Sequence, residues 1–243
     1  MKIEVHENEE RGYFNQKWIK SYFSFSYADY HNHKRPGFGK LIVLNEDHII
    51  PGEGFPARPH KDMEIISIPL FGELHHEDSL GNDTNVKAGS VQSISAGSGI
   101  SHSEYNNHDS DELKVLHIWI ESENHNGDPI YEHKKYTKKD RKNKWQVLAS
   151  CKKKDNANLL QQDAYISRIH ITEKKEVEYK KRNKDHGVYF FVIHGCIKVE
   201  GNKIMEKDAV GITGAHKKIA LKNYYEESDI LAIEVPMQLK PKK

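Results

Sequence analysis

The chain has 243 residues, enough for one large domain or two of ordinary size with substantial cores. Its 37 Lys and Arg nearly balance 36 Asp and Glu, and a net charge of +1 supplies no general field for nucleic acid or an anionic membrane. Two cysteines, Cys151 and Cys196, are too few for a disulfide framework. The opening segment has no apolar leader core, and no run nears the ~18 apolar residues of a membrane span, so a soluble cytoplasmic protein is expected.

Lys2 to His6 reads as a short strand. In FSFSYADY, Phe23, Phe25 and Tyr27 alternate with Ser24 and Ser26, the period of a strand with one apolar face. After the turn Gly37-Phe38-Gly39, KLIVLNEDHIIPGEGF reads as a strand, a turn at Asn45-Glu46-Asp47 and a second strand. MEIISIPLFGELHHEDSLGN gives two more strands, and Pro69 puts the first of them at an edge or at a bulge. His75 and His76 fall on opposite faces, so at most one points inward, and neither is read as a ligand. VQSISAG and LKVLHIWIES are strands, and NHNGDPIYEHKKY is an outward loop. The basic run Lys134 to Lys144 reads as a solvated linker in preference to a phosphate-binding patch.

The second half is a series of short strands: QVLAS, AYISRIHIT, VEYKK, GVYFFVIHGCIKVEG, DAVGIT, KIALKN and DILAIEV, broken by Gly, Asn and Asp turns. Such spacing predicts a second β-barrel or sandwich, and no helical period of useful length is present. His170, His186, His194 and His216 lack a carboxylate at ligand spacing, so this half is expected to bind no metal.

Two polar turns carry the chemistry, GFPARPHKDME and SAGSGISHSEY. His60, His102 and Glu104 are the residue types that hold a divalent first-row metal, two neutral imidazoles and a carboxylate with open positions opposite. His102 and Glu104 stand at i and i+2 of a strand and face the same way, with Ser103 outward. Gly97 and Gly99 permit the tight backbone of a turn at a barrel mouth. The plainer alternative is a glycine-rich hairpin carrying a surface histidine.

These residues resemble the pirin family of bicupins, most closely its bacterial quercetinase-like members. The resemblance runs in order through FSFSYADYH, GFPARPHKDMEII, GELHHEDSLGN, AGSGISHSEYN and LHIWIESENHNGDPIYE, and more weakly through VIHGCIKVEGNKI. It implies an all-β chain of two jelly-roll cupin barrels packed together: an N-terminal cupin over 1–135 with the metal site, a basic linker and the start of the second barrel over 136–150, and a C-terminal cupin over 151–243 without ligands. In the family, two histidines separated by one residue, then a His and a Glu, hold one metal, usually iron. The matching positions are Arg58, His60, His102 and Glu104.

Arg58 is the departure, because a guanidinium stays protonated and has no lone pair for a metal. Three readings stay open. Arg58 swings out and leaves His60, His102 and Glu104 as a weaker three-ligand face. It points inward and pairs with Glu104, leaving a metal-free pocket. Or His117, where the family commonly has Gln, completes the set. The resemblance implies a metal-dependent dioxygenase acting on a flavonol-like aromatic, with Glu104 accepting the substrate proton. The alternative is a non-catalytic cupin that regulates a protein partner or binds a small molecule. A monomer is expected, with no nucleic-acid partner.

Overall fold

The computed structural model describes residues 1–123, 125–214 and 217–237. Its first strands are β1 (Lys2–His6), β2 (Gly12–Asn15), β3 (Ile19–Phe23), β4 (Leu41–Ile49), β5 (Gly54–His60) and β6 (Met63–Phe71). Then come β7 (Glu73–Asp78), β8 (Asp83–Lys87), β9 (Ser90–Ser95), β10 (Ile100–Tyr105), β11 (Leu113–Glu121) and β12 (Ile130–Lys135). The second half holds β13 (Gln146–Ser150), β14 (Asn158–Leu159), β15 (Tyr165–Ile171), β16 (Glu176–Lys180) and β17 (His186–His194). It closes with β18 (Cys196–Val199), β19 (Asn202–Met205), β20 (Ala209–Thr213), β21 (Lys218–Asn223) and β22 (Ser228–Pro236). No helix among the described residues is long and apolar enough to cross a membrane.

The strands make two barrels, each a seven-stranded sheet closed over by a four-stranded one. The first pairs β12-β9-β6-β11-β4-β3-β2 with β5-β10-β7-β8, and the second pairs β1-β20-β17-β22-β15-β13-β14 with β16-β21-β18-β19. Neighbours are antiparallel except β13 and β14. This is the bicupin architecture. The chain begins in the second barrel's sheet, where β1 pairs with β20, and only then enters the first barrel.

The two seven-stranded sheets pack back to back. Leu44, Ile66, Leu116 and Ile118 of one meet Ile166, Phe191, Leu231 and Ile233 of the other in a single buried cluster. Covering both faces explains why β11 and β22 are buried almost throughout, while the solvent-facing β21 alternates strictly. Phe38 is inserted so closely that a Cβ on Gly211 would come within 2.6 Å of its ring, so only glycine fits there.

Several expectations are refined by this packing. Asn45-Glu46-Asp47 is not a turn but the middle of β4, with all three residues buried. β3 ends at Phe23, and the rest of FSFSYADY folds as bends and a tight Tyr27–Tyr30 bridge. Pro69 sits in a central strand at a register slip, the bulge rather than the edge. The end of the expected outward loop is β12, paired with β9. The basic run is only partly solvated: Tyr136 and Arg141 are buried, the Tyr136 hydroxyl donating to the Leu148 carbonyl at 2.7 Å. Glu64 points away from the first barrel and accepts the backbone N–H groups of Gln161 and Gln162 at 3.2 and 3.0 Å, so it joins the two barrels.

Glu46 also bridges them, with Lys207 at 2.8 Å, His48 at 3.2 Å and Arg11 at 3.5 Å. Burial pushes its carboxyl up, but these partners override it and bring the pKa from 4.5 down to about 2. A depressed carboxyl stabilises the fold above its unfolded pKa, and that stabilisation is lost as pH falls through the folded value. The difference corresponds to about 3 kcal/mol at pH 7. Glu46→Gln is therefore expected to lower unfolding free energy at pH 7, with the gap to the parent closing between pH 4.5 and 2. Urea denaturation across that range checks it, and a constant gap would refute it.

Candidate active site

The interiors of the two barrels differ. Ile169, Val188, Val199 and Leu221 fill the second in one continuous cluster, with Tyr179 packed edge-on against Phe190. The first holds two separate apolar clusters, one around Ile49 and Val115 and the other around Ile65 and Ile94. A cavity of about 400 Å³ opens into this barrel, walled by Phe23, Tyr27, Phe55 and Trp119 together with Arg58, Glu104 and His117.

β10 alternates Ile100, His102 and Glu104 inward, with Ser101, Ser103 and Tyr105 half-buried on the other side. Against β5 the register slips by one residue, so that His102 pairs with Arg58 but Glu104 pairs with Phe55. The extra residue turns Phe55 and Arg58 to the same side. The Arg58 guanidinium lies over the Phe55 ring at 4.4 Å. His60 stacks on His102 with ring centroids 4.8 Å apart and meets Trp119 edge-on at 5.0 Å, behind the cavity wall. Gly54, at the start of β5, runs so close to β10 that an added Cβ would lie 2.3 Å from the Glu104 carbonyl oxygen.

Glu104 is fully engaged. Its Oε1 accepts from Ser67 Oγ at 2.8 Å and Gln92 Nε2 at 2.6 Å, and its Oε2 lies 3.1 Å from His117 Nε2. That last contact is an ion pair without hydrogen-bond alignment. The other His117 nitrogen, Nδ1, is 2.6 Å from Asp47 Oδ2. Burial disfavours a charged His117, but the carboxylates on either side override it and raise its pKa to about 10. Burial likewise pushes Glu104 up, and the His117 cation overrides that and holds it well below the ordinary value. Glu104 is thus paired by His117 and not by Arg58.

His60 and His102 are the opposite case. Burial lowers both, His102 to about 4, so their rings are neutral at physiological pH. His60 Nε2 and His102 Nδ1 are buried without a hydrogen-bond partner, and His102 Nε2 lies 3.9 Å from Glu104 Oε2. Neutral imidazoles and a carboxylate are donor types a divalent ion takes, and the 3.9 Å between His102 Nε2 and Glu104 Oε2 is within the ~4 Å that separates two donors at ~2.1 Å on one ion. His117 is held on both sides, Nδ1 against Asp47 at 2.6 Å and Nε2 against Glu104 at 3.1 Å.

Among the described residues, the donors gathered most tightly are elsewhere. His75, Glu77 and Asp83 form a candidate metal-binding cluster on the outer face of the first barrel, their ligand atoms within 4.8 Å of one another. His75 already uses both nitrogens, on Asn85 at 2.8 Å and Glu77 at 3.0 Å, and the acidic neighbours raise its pKa against the effect of burial. His76 points inward, stacked on Tyr131 at 4.4 Å with Nε2 3.0 Å from Asp78. In the second barrel His170 pairs with Glu227 at 2.7 Å and His194 with Glu206 at 2.8 Å, while His186 is 3.5 Å from Asp163 and Glu234. These carboxylates are remote in sequence, which hides the pairings from spacing arguments. His216 lies outside the described residues.

Two cupin barrels, one filled and one holding an aromatic-walled cavity with a few polar groups, define the chain as a bicupin with its candidate site in the N-terminal half. A Pirin model matches residues 4–120, and a model of the quercetinase C-terminal cupin domain matches residues 147–235. The chain belongs to the pirin family. It is 35% identical over 210 residues to quercetin 2,3-dioxygenase of Escherichia coli K12, covering 86% of this chain and 89% of that protein. The crystal structure of YhhW from Escherichia coli superposes with a TM-score of 0.91 at 31% identity, over 99% of this chain and 100% of that one. The structure of bacterial pirin YhhW in complex with nickel(II) gives 0.90 at 31% identity, over 98% and 100%.

His117 sits between two buried carboxylates, Asp47 at 2.6 Å and Glu104 at 3.1 Å. Removing one partner of a buried pair costs about 3–5 kcal/mol. His117→Gln is expected to lose that much unfolding free energy in the presence of chelator, measured by denaturant titration. A loss below about 1 kcal/mol, the range of an exposed pair, would show that the charge contributes little.

Proposed function

We propose that the N-terminal barrel is the active site of a quercetin 2,3-dioxygenase-type enzyme that uses one divalent metal, iron in this reading, and takes a flavonol-like aromatic with vicinal oxygens. His60, His102 and Glu104 would hold the ion. The observation that carries the reading is a pair of stacked, neutral imidazoles, His102 of which lies 3.9 Å from the buried carboxylate of Glu104 where both line an aromatic-walled cavity. When bound, the ion supplies a Lewis acid beside the substrate's hydroxyl groups.

The chain's own residues do the rest. Phe55, Tyr27 and Trp119 offer flat apolar walls to an aromatic ring, and a cavity of about 400 Å³ lies within the usual span of small-molecule sites. Glu104 takes the substrate proton on Oε2, the oxygen that faces His117 and His102. Asp47 holds the His117 ring in place through this exchange, so the charge next to Glu104 stays fixed. Two free thiols, Cys151 and Cys196, support a cytoplasmic setting.

A second reading, a non-catalytic binding or regulatory cupin, is favoured by one observation: Glu104 already has a cation in His117, and a guanidinium stands where the family has its first histidine ligand. Metal analysis of protein grown with iron, counting nickel as well, together with oxygen uptake on quercetin, separates the two. The enzyme reading expects roughly stoichiometric metal and measurable uptake. Arg58→His is expected to raise both by restoring a nitrogen donor, and no change in either would count against this account of position 58.

A further inference from the structure

We infer that Arg58 anchors an acidic group on the ligand, so that the site takes oxygenated aromatic carboxylates in preference to their uncharged counterparts. The inference rests on the reading that the cavity holds an aromatic ligand, and it goes beyond it in assigning that ligand a charge.

Position 58 carries a fixed charge. The bulge on β5 turns the guanidinium into the cavity wall, where it stacks on Phe55 at 4.4 Å and its Nε is buried without an acceptor. Among the described residues no carboxylate forms an ion pair with it. Glu104 is taken up by Ser67, Gln92 and His117, and Asp47 by His117. Asp29 stands on the same cavity wall but is exposed and does not close on it. A partly buried guanidinium facing aromatic walls has lost water without gaining a counterion, and its forked donors match a carboxylate's two oxygens.

Tyr27 adds a second recognition group. It lines the same cavity as Arg58, and burial raises the pKa of its phenol, so its O–H is kept to donate to an acid oxygen. The ring of such a ligand would lie against Phe55 and Trp119, as the uncharged aromatic would. The residue that removes a metal ligand thus also supplies a specificity element.

Titration with 3,4-dihydroxybenzoate and with catechol, which lacks only the carboxylate, tests this through Trp fluorescence or calorimetry. The protein is used as isolated and again after chelation. The acid is expected to bind roughly tenfold or more tightly than catechol, as a charge-assisted pair requires. Arg58→Gln is expected to abolish that preference, the acid losing far more affinity than catechol. Arg58→Lys keeps the charge but not the fork, and is expected to retain part of the preference; this variant decides the matter if Arg58→Gln does not fold. Equal affinities, a preference that survives Arg58→Gln, or one that vanishes on chelation overturns the inference and leaves the dioxygenase reading standing. Failure of both probes to bind overturns the aromatic-ligand reading with it.

Discussion

A carboxylate buried inside a β-barrel is the constraint from which the rest of the site follows. Glu104 is 2% exposed, and an ionised carboxyl at that depth needs compensating charge and donors on every lone pair. Ser67 on β6, Gln92 on β9 and His117 on β11 supply them, so three strands of the large sheet reach across the barrel to one residue of the small sheet. Charging His117 creates a second demand, met by Asp47 on β4. The interior of the first barrel is therefore polar along one line and apolar on either side of it, which is why its core is split and the second barrel's is not.

Much of this was open to a reading of the sequence. Period-two alternation marks the outer strands, and the i, i+2 spacing of His102 and Glu104 puts both on one face wherever the strand lies. Strands with two covered faces are harder. Asn45-Glu46-Asp47 looks like a turn because three polar residues in succession are rarely buried. Here Glu46 faces Lys207 of the other barrel and Asp47 faces His117 within its own. Nothing local in the chain announces either partner. Tyr136 and Arg141 illustrate the same limit, being buried within a run whose composition is that of a solvated linker. The histidine and carboxylate pairs of the second barrel were hidden because their members are separated by between 12 and 57 residues.

The side chain at position 58 decides what this register presents to the cavity. A histidine at this register would present a lone pair toward the neighbouring His102; an arginine presents a fixed charge and a flat surface. The bulge that turns it inward depends on two backbones in near contact at Gly54, so the fold aims whatever side chain occupies position 58 at the cavity. Ligand choice can therefore change without any change in the scaffold.

The crossing of β1 gives the two barrels a mechanical dependence on each other. Its five residues complete the hydrogen bonds of β20, which would otherwise stand as an open sheet margin. The chain then passes directly to the strands that shelter the cavity mouth, where Tyr13 and Phe14 line the opening. The same short stretch of chain thus completes the far barrel's sheet and runs on to the cavity entrance, and neither half of the molecule has a boundary entirely its own.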